Sequence, residues 1–124
     1  ILERMNKKAS PEQATKAIKM TREAGIWANG TFISGYPGET KETLRMTAKF
    51  MRDNDCLGSM FYATPYPGTV LYNESKDKVL EEFGSEDAYI KSLGDATDFR
   101  INLSEMPTEE LLEYRLLAMN GQEF

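Results

Sequence analysis

Histidine is absent from these 124 residues, and cysteine occurs once. Without histidine there is no imidazole base, no Ser–His or Cys–His nucleophile pair, and no imidazole ligand for a metal. One cysteine forms no internal disulfide and by itself holds neither zinc nor an iron–sulfur cluster. No apolar run is long enough to cross a membrane. The opening Ile1-Leu2-Glu3-Arg4-Met5-Asn6-Lys7-Lys8 lacks the apolar stretch of a signal peptide. Basic charge is in short supply, with 15 Lys and Arg against 20 Asp and Glu and a net charge of −5 at pH 7. A surface of that sign repels a phosphate backbone, which argues against DNA or RNA as the partner. An unpaired cysteine without secretion signals points to a reducing cytoplasm. Repeats and low-complexity tracts are missing too. The chain has no initiator methionine and starts as though inside a helix, which reads as a piece of a longer protein.

What is present is an ordinary globular balance: 40% apolar, 10% aromatic and 28% charged residues. Ser10-Pro11-Glu12-Gln13 is a helix start, with Ser10 as cap, Pro11 at the first helical position and Gln13 completing a capping box. Ala14, Ala17, Ile18, Thr21 and Ala24 follow on one face, and Gly25 ends the helix. Residues 26–33 read as a strand apolar on both faces, as in a parallel sheet, with Gly30 marking a bulge or a close approach. A turn over 34–40 leads to a helix over 40–54 with Leu44, Thr47, Ala48 and Met51 on one face. A second strand is expected over 57–63. Strand, helix and strand in this order form a parallel βαβ unit. A second turn, 64–69, opens a short helix over 70–76. Further helical segments are expected over 80–83 and 85–93, with Ser85 as a cap, and a short strand over 98–103. A last helix from Pro107 and Thr108 to Met119 carries Leu112, Leu116 and Met119.

Two turns stand out: Gly35-Tyr36-Pro37-Gly38-Glu39-Thr40 and Thr64-Pro65-Tyr66-Pro67-Gly68-Thr69. Each follows a strand of the expected parallel unit, and ligands of such sheets bind at the carboxyl ends of the strands. Glycine lets a ligand approach the backbone, and the following helix offers free N–H groups. The first turn has neither the lysine of a P-loop nor the glycine spacing of a dinucleotide fold. Taken singly, the first turn reads more readily as structure, and the second is equally explained by packing. Taken together, at equivalent ends of consecutive strands, they describe one shared binding rim.

Asn6-Lys7-Lys8, Ala24-Gly25-Ile26, Phe32-Ile33-Ser34-Gly35-Tyr36-Pro37-Gly38-Glu39-Thr40 and Pro65-Tyr66-Pro67-Gly68-Thr69 resemble the second half of a radical S-adenosylmethionine (radical SAM) domain. The resemblance is nearest to the class with an upstream cobalamin-binding domain, which includes anaerobic magnesium-protoporphyrin monomethyl ester cyclase-like proteins and radical methyltransferases. It is sharpest over residues 5–72. It implies an α/β fold: a partial (half) TIM-type parallel barrel over 1–76, and an α-rich C-terminal extension over 77–124. It also implies two cofactors, S-adenosylmethionine and a [4Fe–4S] cluster held by a C-x3-C-x2-C loop, with cobalamin as a third in the upstream class. In that family an electron from the cluster splits the bound sulfonium to a 5′-deoxyadenosyl radical, which takes a hydrogen atom from a small-molecule substrate. The cysteine triplet is not in this chain, so the chain alone is expected to be inactive.

On this resemblance the chain supplies the adenosine side of the cofactor site. Ile33 would pack on adenine, Thr31 would face the ribose, and Gly35 would admit the adenosyl group. Backbone groups of Tyr62 and Ala63 would pair with the adenine edge, and Thr64, Pro65 and Tyr66 would shape the substrate side. Blander roles exist for several of these residues. Ile33 suits a core strand, Glu39 and Thr40 complement a helix N-terminus, and Cys56 is a small packing residue. Lys7-Lys8, Glu81-Glu82 and Glu109-Glu110 read as solvated helix faces. The competing reading of the whole is a non-catalytic α/β interaction module. A half barrel exposes a strand edge and an apolar inner face, so self-association, or a cover formed by the C-terminal segment, is expected.

Overall fold

The computed structural model describes residues 1–124. Its elements are α1 (Pro11–Glu23), β1 (Phe32–Ser34), α2 (Lys41–Asp53), β2 (Met60–Tyr62), α3 (Val70–Phe83), α4 (Glu86–Ser92) and α5 (Thr108–Met119). β1 and β2 pair in parallel, with Phe32, Ile33 and Ser34 opposite Met60, Phe61 and Tyr62. The fold is therefore α/β with a parallel βαβ unit, as expected. The sheet has two strands.

Local chemistry sets the helix starts. Ser10 and Gln13 form the capping box of α1, and Thr40 forms one with Thr43 on α2. The hydroxyls of Thr69 and Ser85 accept the N3 amides of α3 and α4. Leu44, Ala48 and Met51 of α2 pack with Met60, Met106, Leu111 and Ala118, which joins α2, β2 and α5 in one core. A second core unites Tyr72 and Val79 of α3 with Tyr89 of α4 and with Ile101 and Leu103.

Several elements differ from the sequence reading. The strand expected over 26–33 shrinks to three residues. Its first half is taken by other partners: Ile26 N–H donates to Thr21 C=O, Arg22 donates to Ala28 C=O, and Asn29 Oδ1 accepts the Gly30 amide. Such local bonds compete with a ladder. The strand expected over 57–63 covers Met60–Tyr62, because Asp55 (φ 50°) and Gly58 (φ 97°) turn the chain just before it. The two segments expected over 70–76 and 80–83 are one helix. Tyr72, Ser75 and Val79 share its buried face, and Gly84 ends it in the left-handed region.

No strand forms over 98–103, where Ile101, Asn102 and Leu103 are nevertheless buried. The Asn102 side chain organises this stretch, donating to Met106 C=O and accepting from the Ser104 amide and hydroxyl. The last helix is rotated from its expected face. Leu111 and Ala118 are buried against α2, while Leu112 and Leu116 are exposed. α1 has no fully buried residue, and Ala14, Ile18 and Thr21 of its apolar stripe are half-buried.

Candidate functional site

β1 runs into the first Pro/Gly turn and β2 into the second. Ala63 N–H donates to Ser34 C=O at 2.8 Å, which carries the ladder one step past β2 and holds the turns side by side. Alternation along a strand splits the side chains between two faces. Phe32 and Met60 meet the core made by α2 and α5, so Ile33 and Phe61 lie on the opposite face. Ile33 is 37% exposed there.

The first turn is braced by a residue that sequence reading had assigned elsewhere. Gly35 is buried with φ +84°, a conformation that suits glycine. Its N–H donates to Glu39 Oε2 at 2.5 Å. Glu39 was expected to complement the N-terminus of α2; its side chain instead folds back across the turn and is 2% exposed. Burial pushes its carboxyl pKa up from 4.5 to about 7, opposed by the Gly35 amide and the N-terminal amino group. The Glu39 C=O also accepts from Glu105 N–H at 2.9 Å, tying the turn to the C-terminal segment. The available signal was an acid four residues after a glycine within a tight turn. It was missed because an acid before a helix also reads as a dipole partner.

The second turn is tied down by the C-terminal third of the chain. Tyr62 N–H donates to Ala96 C=O at 2.8 Å. The Tyr62 ring meets Phe99 edge-on at 5.3 Å and lies 4.2 Å from the Arg115 guanidinium. Arg115 also donates to Met60 C=O, so the outer edge of β2 is closed by groups of the chain itself. The Thr64 hydroxyl donates to Tyr62 C=O at 3.3 Å. Pro65 is fully buried, and its C=O accepts from the Tyr89 hydroxyl at 2.9 Å. Tyr66 reaches Gly94 C=O at 3.1 Å.

The expected site residues thus divide. Ile33, Gly35, Ala63 and Thr64 stand at the adjacent strand ends. Thr31 is exposed, lies just before β1 and makes no hydrogen bond. Tyr62 and Pro65 are engaged in packing. Of the backbone groups of Tyr62 and Ala63, the two amides donate to Ala96 C=O and Ser34 C=O. Ala63 C=O accepts no hydrogen bond and is the backbone group left over.

Cys56 is fully buried, with its thiol 3.3 Å from Asn54 C=O. No group of three or more Cys, Asp or Glu side chains is placed to hold a metal. No helix is long and apolar enough to cross a membrane. Two clefts lie away from the turns. One of about 300 Å³ runs between α2 and Phe124, and one of about 440 Å³ lies beside Arg22, Ile26 and Trp27.

No protein-family model matches the chain, and no solved structure matches it. Curated proteins do. Over 73 residues the chain is 42% identical to an uncharacterized methyltransferase of Pyrococcus horikoshii, covering 58% of this chain and 16% of that protein. It is 38% identical over 79 residues to the anaerobic magnesium-protoporphyrin IX monomethyl ester cyclase of Rubrivivax gelatinosus, covering 63% of this chain and 14% of the cyclase. It is 34% identical over 90 residues to a ribosomal protein uS12 methylthiotransferase of Klebsiella pneumoniae, covering 69% and 20%. The chain therefore matches a minor part of each relative's length. With the paired turns at adjacent strand ends, these matches show that the chain belongs to the radical SAM superfamily.

Proposed function

We propose that this chain forms the adenosine side of the S-adenosylmethionine site of a radical SAM oxidoreductase or methyltransferase, and that the rest of the site lies in a longer polypeptide. One observation carries the reading. Two Pro/Gly turns leave adjacent parallel strands at their carboxyl ends, locked by the Ala63–Ser34 hydrogen bond, with Ile33 on the open face beside them. In this reading residues 1–76 are the second half of a partial TIM-type barrel and 77–124 an extension, bridged by α3. The open face would be the barrel interior.

The residues fit adenosine in kind. Ala63 C=O is an unengaged acceptor suited to an exocyclic amine, and Ile33 offers an apolar surface. They do not fit an iron–sulfur cluster: the single cysteine is buried between α2 and β2. The cluster, and cobalamin if the whole protein uses it, would be held by other parts of the polypeptide, as would the determinants of the small-molecule substrate. The chain alone is then inactive, and its work is to position the adenosyl group.

The test uses 5′-deoxyadenosine, which lacks the amino-acid group that an absent cluster would anchor. Titrated into isotopically labelled chain, it should shift the amide resonances of Ile33, Gly35, Ala63 and Thr64, with weak affinity, about millimolar. Ile33→Asp should abolish those shifts. No response at saturating ligand, or shifts confined to the cleft at Arg22 and Trp27, would favour the interaction-module reading and overturn this one.

A further inference from the structure

Asn102 stands between the two cores. Its neighbours Ile101 and Leu103 are buried in the second core, while Met106 belongs to the first. Lys78 of α3 donates to the Asn102 C=O and anchors the backbone there. The Asn102 side chain is buried and fully used. Its Nδ2 donates to Met106 C=O at 2.7 Å and to Thr108 Oγ1 at 3.3 Å. Its Oδ1 accepts from the Ser104 amide at 2.9 Å and from the Ser104 hydroxyl at 2.6 Å. Two donors and two acceptor sites are all that a side-chain amide has. These bonds bracket Glu105 on both sides, and Ser104 Oγ also accepts from Met106 N–H at 3.2 Å. The direction of the Glu105 N–H is thereby set, and it donates to Glu39 C=O at 2.9 Å. Glu39 in turn takes the Gly35 N–H on its carboxyl. That N–H shares one planar peptide unit with Ser34 C=O, which accepts from Ala63 N–H and holds the two turns side by side.

We infer that Asn102 is a positioning residue of the adenosine site. Through Glu105 and Glu39 it holds the Ser34–Gly35 peptide, and so the placement of Ile33 relative to the free Ala63 C=O. Asn102 itself touches no ligand. Residues 102–106 form no helix or strand, so no ladder fixes their amides, and the side chain of Asn102 takes that task. The relay runs from Asn102 to Ala63 within this chain, and every link in it is a hydrogen bond already made. The role in binding rests on the cofactor reading, whereas the relay is measurable without a ligand.

Amide hydrogen exchange and titration with 5′-deoxyadenosine test it on wild type, Asn102→Ala and Val79→Ala. Val79 is fully buried in the second core, so its truncation loosens the packing around Ile101 and Leu103 without touching the relay. In Asn102→Ala the Gly35 and Ala63 amides should exchange about tenfold faster relative to the Tyr62 amide, which is bonded to Ala96 outside the relay. Affinity for 5′-deoxyadenosine should fall about fivefold, the worth of one hydrogen bond. Val79→Ala should change neither ratio nor affinity. If Asn102→Ala does not fold, Ser104→Ala decides the matter. It removes one of the two donors to Asn102 Oδ1 and should give the same pattern at about twofold. Unchanged exchange at Gly35 and Ala63 in a folded variant overturns the relay. Faster exchange with unchanged affinity overturns the positioning role, as does the same pattern in Val79→Ala. A wild type that binds no nucleoside overturns the cofactor reading, and the role in binding with it, and the exchange ratios separate that outcome from failure of the relay.

Discussion

Replacing Glu39 by glutamine should abolish a pH dependence of stability that the wild-type chain carries. The Glu39 carboxyl is buried with its Oε2 on the Gly35 amide, and burial raises its pKa from 4.5 to about 7. An acid whose folded-state pKa is raised stabilises the fold fully below its unfolded pKa, and that stabilisation is lost as pH rises through the folded value. Linkage between those two values makes the loss about 2.5 kcal/mol from pH 5 to pH 8. Glu39→Gln keeps an acceptor for Gly35 and carries no titrating group. Urea unfolding of both chains at the two pH values isolates the effect, since the other titrating groups are common to both. The wild type should lose about 2.5 kcal/mol more than the variant over this interval. Parallel pH profiles would refute the desolvation argument. A Glu39→Ala chain is the companion: it should share the flat profile but be less stable at both pH values by roughly 2–4 kcal/mol, because the Gly35 amide is left buried without an acceptor and a cavity opens.

Two smaller perturbations test other parts of the fold. Tyr89→Phe removes the hydroxyl that donates to Pro65 C=O and should cost about 1 kcal/mol of global stability by urea unfolding, with added mobility of the second turn in amide exchange. Thr40→Ala and Ser10→Ala delete equivalent capping boxes, each worth about 1 kcal/mol, yet their readouts should differ. α2 is anchored in the core by Leu44, Ala48 and Met51, so loss of its cap should lower the urea midpoint. α1 has no fully buried residue, so loss of its cap should appear as local fraying in amide exchange with little change in the midpoint.

The candidate site was partly legible because its chemistry is local. Proline and glycine in the two turns restrict the backbone wherever they occur, and each turn precedes a capping threonine that starts a helix at Lys41 or Val70. Glu39 escaped because the choice between a helix N-terminus and the Gly35 amide is made by how tightly the turn is buried. Which backbone groups of Tyr62 and Ala63 stay unengaged was not legible, because a sequence does not show which edge of a strand will be covered. Ala96, some thirty residues away, settles that for Tyr62.

The amino-acid sequence by itself determined the helix starts, the parallel βαβ order, the paired turns and the family they announce. These follow from capping groups, glycine and proline geometry and apolar period, all of which act over a few residues. Tertiary structure alone decided how long the strands are, which face of α5 is buried and what closes the outer edge of β2. Strand length was decided when Arg22 took the Ala28 carbonyl, and the face of α5 when Leu111 and Ala118, in place of Leu112 and Leu116, met α2. Hydrogen-bond partners and packing surfaces far apart in the chain compete for the same groups, and that competition is resolved only when the whole chain is folded.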